Sequence, residues 1–547
     1  MIEWKMRRHF LMMCLRNATM RKERRRMNLF VAKFRDMIKG IITGFDRIVF
    51  KGSILPLAHA AGAMSFCMTH GIRNKDFKQW AMDQTRQVVQ SAEQYARAHS
   101  GRGIQAILSS KVRKEQIAHK RQQEMGIQSG LIGVWSATES CWSYRAQYSA
   151  EAGHPLLRKE PMKCKHLYFY LDHARYGFMN IRLQTWFPYH IQIALNGREW
   201  LRRSLEKAGN DFVVRRNKFL HIDDYQRAQR LLDRQLDTRW KRMLDGFLAD
   251  AFPAKEAIIG PHLSYYWTLW ESEWATDFIF RTPKDIAPIA DSLLRHAFMT
   301  GTGERVLRYL DRPLKKDGTP RADLHHEVTS RLLDFRDGVR VRHWVDTNSV
   351  KGYNELNVFR AEMTMNQPGM FRVHRHTQGR EHSARKRLMP LRKGVADIVL
   401  RTQVSQDVNE RFMDNLAAAQ CETPVRDLLD DVVKTFTKEG RRVRALVPTG
   451  KDRALLQALN DPAFCISGLS NSDLRQKLRD KTGYNGMTEK QLSAKISRQL
   501  RLLRDHGLIR KVPRRNRYLM TRKGRELTTA LGAMLAASTK QLMDIAA

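Results

Sequence analysis

A multidomain α+β protein is predicted by this 547-residue chain on three observations. Its length allows roughly three or four domains. Hydrophobic residues make up 42%, with 23 Phe and 11 Trp, which is enough for packed cores and too much for a disordered basic tail. Strand-like apolar runs and helix-period stretches share the chain, which ends on the signals of two helices, a hairpin and a further helix.

Taken in order, residues 1–26 form a basic extension with nine Lys+Arg, two Glu and five Met, and Arg24-Arg25-Arg26 stands just before Met27. It is either a transit segment or nucleic-acid arm, or translated sequence upstream of a true start at Met27. Residues 27–150 read as a mostly helical domain after the apolar strand Ile41–Phe50, and Asp76–His99 has helical periodicity with a polar face. A connection from Ala150 to Pro161 leads to a mixed α/β central region, 165–375. That region opens on a hairpin, Leu167–Asp172 and Phe178–Trp186, and continues with amphipathic helices at Gly197–Lys207 and Tyr225–Phe247. In the aromatic stretch 265–310, the spacing of Trp267, Trp270 and Trp274 predicts a buried helix face. Pro313–Ala322 reads as a linker, and Val339–Val345 and Leu356–Met365 as paired strands around Lys351-Gly-Tyr-Asn. Residues 376–450 are a basic loop plus helices, one from about Ser405 to Ala419, before a last domain at 451–547.

That last domain has the most ordered signals. Ser470-Asn-Ser-Asp opens a helix with cap-type residues and an acid in the first turn. Met487-Thr-Glu-Lys opens another, where Leu492, Ile496, Leu500 and Leu503 form one apolar face and Lys495, Arg498, Arg501 and Arg504 point elsewhere. Gly507 stops it. Leu508–Met520 then reads as two short strands around a tip carrying Arg514, Arg515 and Arg517. This series, Ala494–Ile509 above all, resembles the winged helix-turn-helix of MarR-type and ArsR-type bacterial regulators, over about a sixth of the chain. The resemblance implies DNA binding, with the second helix in the major groove and the wing on phosphates or in the minor groove. Lys495, Arg498, Arg501, Arg504, Arg514, Arg515 and Arg517 are the implied contacts. Residues 470–530 hold 17 Lys+Arg against 5 Asp+Glu, a local net of +12, and the charge favours that reading. A winged helix for protein or RNA contact, or a plain solvated basic face, is the alternative.

Over the whole chain, 97 basic and 56 acidic residues leave a net charge of +41. A polyanionic partner is expected: DNA, with RNA as the alternative, and self-association left open. No run reaches the ~18–20 apolar residues that span a bilayer, so no membrane partner is expected. Six scattered cysteines without a C-x-x-C suit a reducing cytosol and argue against a zinc ribbon. Neither a phosphate-binding Gly-rich loop nor a nucleophile elbow is present.

Two constellations point to chemistry. Asp172 ends an apolar strand and Gly177 closes the turn after it, a hairpin that resembles ribonuclease-H-like nucleases and transposases. Their chemistry needs two or three carboxylates on divalent metal, Mg²⁺ or Mn²⁺. Glu362, Asp46, Asp346, and Glu273 or Asp277 are the candidates to complete the set, with Asp172, Glu362 and Asp46 as expected metal ligands. An Asp that merely caps a turn is the plainer account of Asp172. Lys351-Gly-Tyr353 with Arg360-Ala-Glu362 resembles the rolling-circle replication initiators, which would make Tyr353 a strand-borne structural residue or a nucleophile. Asn354 and Glu355 depart from that pattern, whereas His374-Arg-His376 has the spacing of its paired metal-binding histidines. The whole chain is similar to bacterial proteins associated with mobile DNA. The expectation is a cytoplasmic, nucleoid-associated DNA-binding protein of a mobile element, transposase-like or nuclease-like. A non-enzymatic regulator or architectural DNA- or RNA-binding protein is the alternative.

Overall fold

The computed structural model describes residues 29–109, 112–299, 306–307, 310, 328–335, 338–376, 386–417, 424–461, 464, 469–511 and 516–538. The 1–26 extension, the 313–322 linker and most of the 375–387 basic loop therefore lie outside the described residues. The architecture mixes helix with a large sheet and several hairpins. It divides into two units, one of residues 40–279 and 344–409, the other of residues 1–39, 280–343 and 410–547.

The first unit is built on strands β1 (Ile38–Ser53), β2 (Gln105–Ala106), β3 (Gly130–Ser149), β4 (His154–His173), β5 (Gly177–Gln184), β6 (Ile191–Asn196), β7 (Phe212–Arg215), β8 (Lys218–Ile222) and β9 (Tyr266–Phe280). β10 (Val328–Phe335) and most of β11 (Gly338–Val345) belong to the second unit, and β12 (Asn348–Glu355) and β13 (Val358–Met365) return to the first. Within the first unit the sheet runs β12-β13-β9-β1-β6-β5-β4-β3-β2, and β7 and β8 form a separate hairpin. Gly177, at φ +60°, makes the tight β4–β5 turn expected from the sequence. The helix Phe77–Ser100 buries Phe77, Ala81, Val88, Ala92 and Ala96, a period near 3.6 that lays one stripe on the core. The expected helix at 225–247 is two, Tyr225–Gln235 and Trp240–Ala251.

Three expectations are corrected. Residues 27–150 are not a mostly helical domain: besides the expected strand, which is β1, they hold the 20-residue β3, and residue 150 falls in the β3–β4 turn of one continuous sheet. Trp267, Trp270 and Trp274 sit on strand β9, not on a helix. Two are buried and Trp270 is 40% exposed, so the spacing of three and four was a coincidence of which faces carry tryptophan. Lys351-Gly-Tyr-Asn is itself strand, β12, with turns at Asp346-Thr347 and Leu356-Asn357. Pairing with neighbouring strands decides these segments, adjacent in sequence for β3 with β4 and β12 with β13 and distant for β9 with β13, and local periodicity does not see it.

The second unit includes a core of Leu and Ile side chains from 428 to 531. Helices Asn471–Leu478, Glu489–Asp505 and Arg522–Ala536 pack on it with the hairpin β18 (Ile509–Lys511) and β19 (Tyr518–Met520), while Leu469 bridges to Tyr518. The intervening hairpins are β14 (Arg372–Arg375) with β15 (Arg387–Pro390), in the first unit, and β16 (Phe436–Lys438) with β17 (Arg441–Val443), in the second. Among the described residues, no helix is long and apolar enough to cross a membrane.

Candidate functional site

Successive residues of a strand face opposite ways, so alternate positions on neighbouring strands assemble one surface. On β13, Arg360 and Glu362 share a face. The register puts Arg360 opposite Asp277 of β9 and opposite Tyr353 of β12, and puts Glu362 opposite Ala275 and Lys351. Thr364 lies opposite Glu273. Next to β9 in the sheet, β1 contributes Asp46. The result is a carboxylate cluster: oxygens of Asp46, Glu273 and Glu362 lie within 4.8 Å of one another.

Cations thread this cluster. Arg360, fully buried, grips Asp277 with two nitrogens (Nη2 to Oδ2, 2.8 Å) and reaches Asp46 at 3.2 Å. Arg198 lies 3.1 Å from Asp277 and 3.8 Å from Asp46. It enters from the first turn of the helix Gly197–Lys207, whose N-terminal N–H groups are capped by the Asn196 side chain. Gly197 is required there, since a Cβ would stand 2.3 Å from the Phe45 carbonyl of β1. Lys351 pairs with Glu362 and lies 3.9 Å from Glu273. From the β7–β8 turn, Asn217 donates to both Asp46 oxygens at 2.7 and 2.8 Å. Tyr353 places its hydroxyl 3.3 Å from Glu362 Oε2, under the Lys218 ammonium.

Four carboxylates (Asp46, Glu273, Asp277, Glu362) therefore meet three cations (Arg198, Lys351, Arg360), one negative charge in excess. That excess settles on Glu273. Burial, then the nearby Glu362 charge, pushes its carboxyl up to about 7. Asp277 moves the other way: burial opposes ionisation, but Arg198 and Arg360 outweigh it and hold the carboxyl below its ordinary value. Burial raises the Tyr353 hydroxyl well above its usual range, so the phenol keeps its proton at neutral pH. The three convergent ligands are hard oxygens with unbalanced negative charge, a donor set that suits Mg²⁺ or Mn²⁺ better than a soft metal. Asp46, Glu273 and Glu362 would hold such an ion. Two nitrogens of buried Arg198, Nε and Nη1, have no hydrogen-bond partner among the described residues and leave donor capacity beside it.

The structure thus joins Asp46, Glu362 and Tyr353 from the sequence expectation, and brings in both Glu273 and Asp277, which the sequence offered as alternatives on a helix and which stand on strand β9. It does not bring Asp172 to them. Asp172 accepts from Arg203 Nη2 at 2.6 Å and from Gln122 at 3.0 Å at the end of β4. Five strand spacings of about 4.8 Å put β4 some ~24 Å from β13. Asp172 is a brace between strand and helices. Asp346 is exposed in its turn, and His374 is exposed on β14; neither joins a group of potential metal ligands among the described residues. Sequence reasoning left out Arg198, whose signal was only its place one residue after the capped start of a helix.

In the second unit, the helix Glu489–Asp505 buries Leu492, Ile496, Leu500 and Leu503 and exposes Arg498, Arg501 and Arg504. Lys495 is half-buried, donating to the Gly483 carbonyl with its ammonium 4.5 Å from the Tyr484 ring centre. Arg517 is exposed, 3.6 Å from Asp473. Arg514 and Arg515 lie outside the described residues. The helix starts on a Thr488 cap and ends before Gly507, which takes φ +72°.

No protein-family profile, no curated protein and no solved structure matches this chain.

Proposed function

We propose that this chain is a DNA-binding protein of a bacterial mobile element that cuts or transfers strands with a divalent metal ion. In this reading the C-terminal helices and hairpin are a winged helix-turn-helix. The helix Glu489–Asp505 lies in the major groove, and Arg498, Arg501, Arg504 and Arg517 meet phosphates or base edges. Support for duplex binding comes from the clean division of that helix into a buried Leu/Ile stripe and an exposed arginine stripe. The chemical half rests on one observation: Asp46, Glu273 and Glu362 converge from three neighbouring strands. Mg²⁺ or Mn²⁺ held there would polarise a phosphodiester, while Lys351 and Arg198 would offer positive charge beside it. Tyr353, beside Glu362, is the candidate nucleophile.

A non-enzymatic regulator is the second reading, and a specific observation favours it. Three cations already neutralise most of the cluster, as in a buried structural network. A denaturing gel of end-labelled single- and double-stranded DNA with Mg²⁺ or Mn²⁺ separates the two. Metal-dependent products, lost in E273Q and E362Q, are expected. A labelled species that stays with the protein and vanishes in Y353F would make Tyr353 the nucleophile. Intact DNA in every lane, with binding retained on a native gel, would favour the regulator.

A further inference from the structure

A second polar surface lies in the first unit, across β1, β6, β5 and β4, and uses none of the carboxylate cluster. Register aligns Lys51 with Gln192, Gln192 with Arg182, and Arg182 with Tyr168, so a polar row crosses four strands on one face. A core-covering face of a sheet would be apolar there. This one instead floors a cleft of about 460 Å³ whose lining includes Lys51, Lys159, Arg182, Trp142, His166 and His190.

Its charge is unbalanced. Glu139 accounts for Arg182, at 2.7 Å, and also pairs with Lys114. Among the described residues, Lys51, Lys159 and the neighbouring Lys393 have no carboxylate partner. Lys51 and Lys393 stand 4.7 and 4.5 Å from the Trp270 ring centre, which holds both ammonium groups beside the cleft. Lys159 donates to the Ala58 carbonyl at 2.9 Å. The repulsion shows in the titrating groups: burial, then Lys159, Arg182 and Lys393, lower the Lys51 ammonium. His190 is driven to about 3 by burial and then by Lys51 and Lys159, so it adds a neutral donor or acceptor rather than another charge. Trp142 is 57% exposed at the cleft. An exposed indole beside lysines that have no carboxylate partner suits a ligand that is both aromatic and anionic.

We propose that this cleft binds single-stranded nucleic acid, one nucleotide at a time, with a backbone phosphate on Lys51 and Lys159 and a base stacked on Trp142. Its volume suits a nucleotide, and a duplex would not enter it. Stacking on an exposed aromatic beside cations is how single strands are held without sequence reading. The site is independent of the duplex face of the second unit, so either can fail alone.

The test is fluorescence anisotropy of the full chain with labelled oligo-dT, across a salt series, for the unaltered protein, K51Q/K159Q, W142A, W142F and R498A/R501A. K51Q/K159Q is expected to weaken single-strand binding by about tenfold or more, and to lower the salt slope by about 0.7, the value for one phosphate contact on a single strand. W142A should weaken it and W142F restore most of it, while duplex binding by both lysine and tryptophan variants stays unchanged. Thermal melts check that each variant folds. Unchanged affinity and slope in folded K51Q/K159Q would overturn the proposal. Free dTMP displacing the strand at equal molar concentration would also overturn it, by making the cleft a mononucleotide site. Loss of duplex binding confined to R498A/R501A would leave the proposal standing; loss of single-strand binding only in that variant would refute it.

Discussion

The two charged regions of this protein use charge in opposite ways. In the carboxylate cluster, acids and bases from adjacent strands and one helix meet, buried or largely so, each beside an opposite charge. On the helix Glu489–Asp505, Arg498, Arg501 and Arg504 stand in water, and no rigid strand positions them. Burying charge costs several kcal/mol per ion before pairing returns it, so a buried cluster is specified by all its members at once. Exposed arginines cost little and are individually replaceable, since the energy they carry is released only on a polyanion. The first arrangement suits chemistry at a fixed point, the second suits attachment to a long repetitive surface.

The sharpest way to break that contrast is Arg360→Met. It takes from Asp277, fully buried, its two-nitrogen partner, leaving Arg198 alone for a buried charge, and takes the nearest cation from Asp46. A loss of about 3–5 kcal/mol in denaturant unfolding is expected. Arg360→Met with Asp277→Asn should lose less than the two single changes summed, because the double change removes that buried charge. Next comes Glu273. Its folded carboxyl titrates near 7 against an ordinary 4.5, so the native protein keeps a proton that the unfolded chain releases. Stability should therefore fall as pH rises from about 4.5 towards 7, by up to about 3 kcal/mol. Glu273→Gln should flatten that slope. Mg²⁺ or Mn²⁺ at the same carboxyl would compete with the proton and bind more tightly as pH rises, which isothermal titration at two pH values would measure.

How much of this was legible in the sequence follows the same divide. The exposed region is local: a Ser470 cap, a Leu/Ile stripe and a Gly507 stop are within forty residues, and helices stand where those signals put them. The cluster is not local. Asp46 and Glu362 could be named because each follows or sits in a visible apolar strand, yet nothing in the chain says that β1 and β13 are separated only by β9. Asp172 had the same local signature as Asp46, an acid in an apolar strand, and differs only in meeting Arg203 across the fold. Glu273 and Asp277 were assigned to a helix because tryptophans three and four apart imitate one.

The exposed region admits smaller tests. Arg498→Ala with Arg501→Ala should leave stability within about 0.5 kcal/mol. On duplex DNA the same change should lower the salt slope by about 2, at ~0.9 per phosphate contact. A large loss of stability instead would mean that these arginines brace the fold, and the contrast would fail on its exposed side.

The finest test concerns Asp473, where the two kinds of charge meet. Its carboxylate accepts from the Ser470 backbone N–H at 2.8 Å, while the Ser470 hydroxyl accepts from the Asp473 backbone N–H at 3.2 Å, a reciprocal cap at the start of the helix Asn471–Leu478. The same carboxylate lies 3.6 Å from Arg517, beyond hydrogen-bond length and open to solvent. Ser470→Ala removes the hydroxyl half of the cap but leaves the pair with Arg517, and should cost about 1 kcal/mol in thermal or denaturant unfolding. Asp473→Ala removes the carboxylate half of the cap together with the pair. Since an exposed pair contributes little to folding, its cost should match that of Ser470→Ala. Its effect on duplex DNA should differ in sign, because Arg517 is released from the Asp473 carboxylate and an anion is removed from the binding face. Tighter duplex binding with equal loss of stability would show attachment and folding to be separable even at one side chain. Weaker binding in both variants would show that the basic face needs the start of that helix held in place, and that its charges are as preorganised as those of the buried cluster.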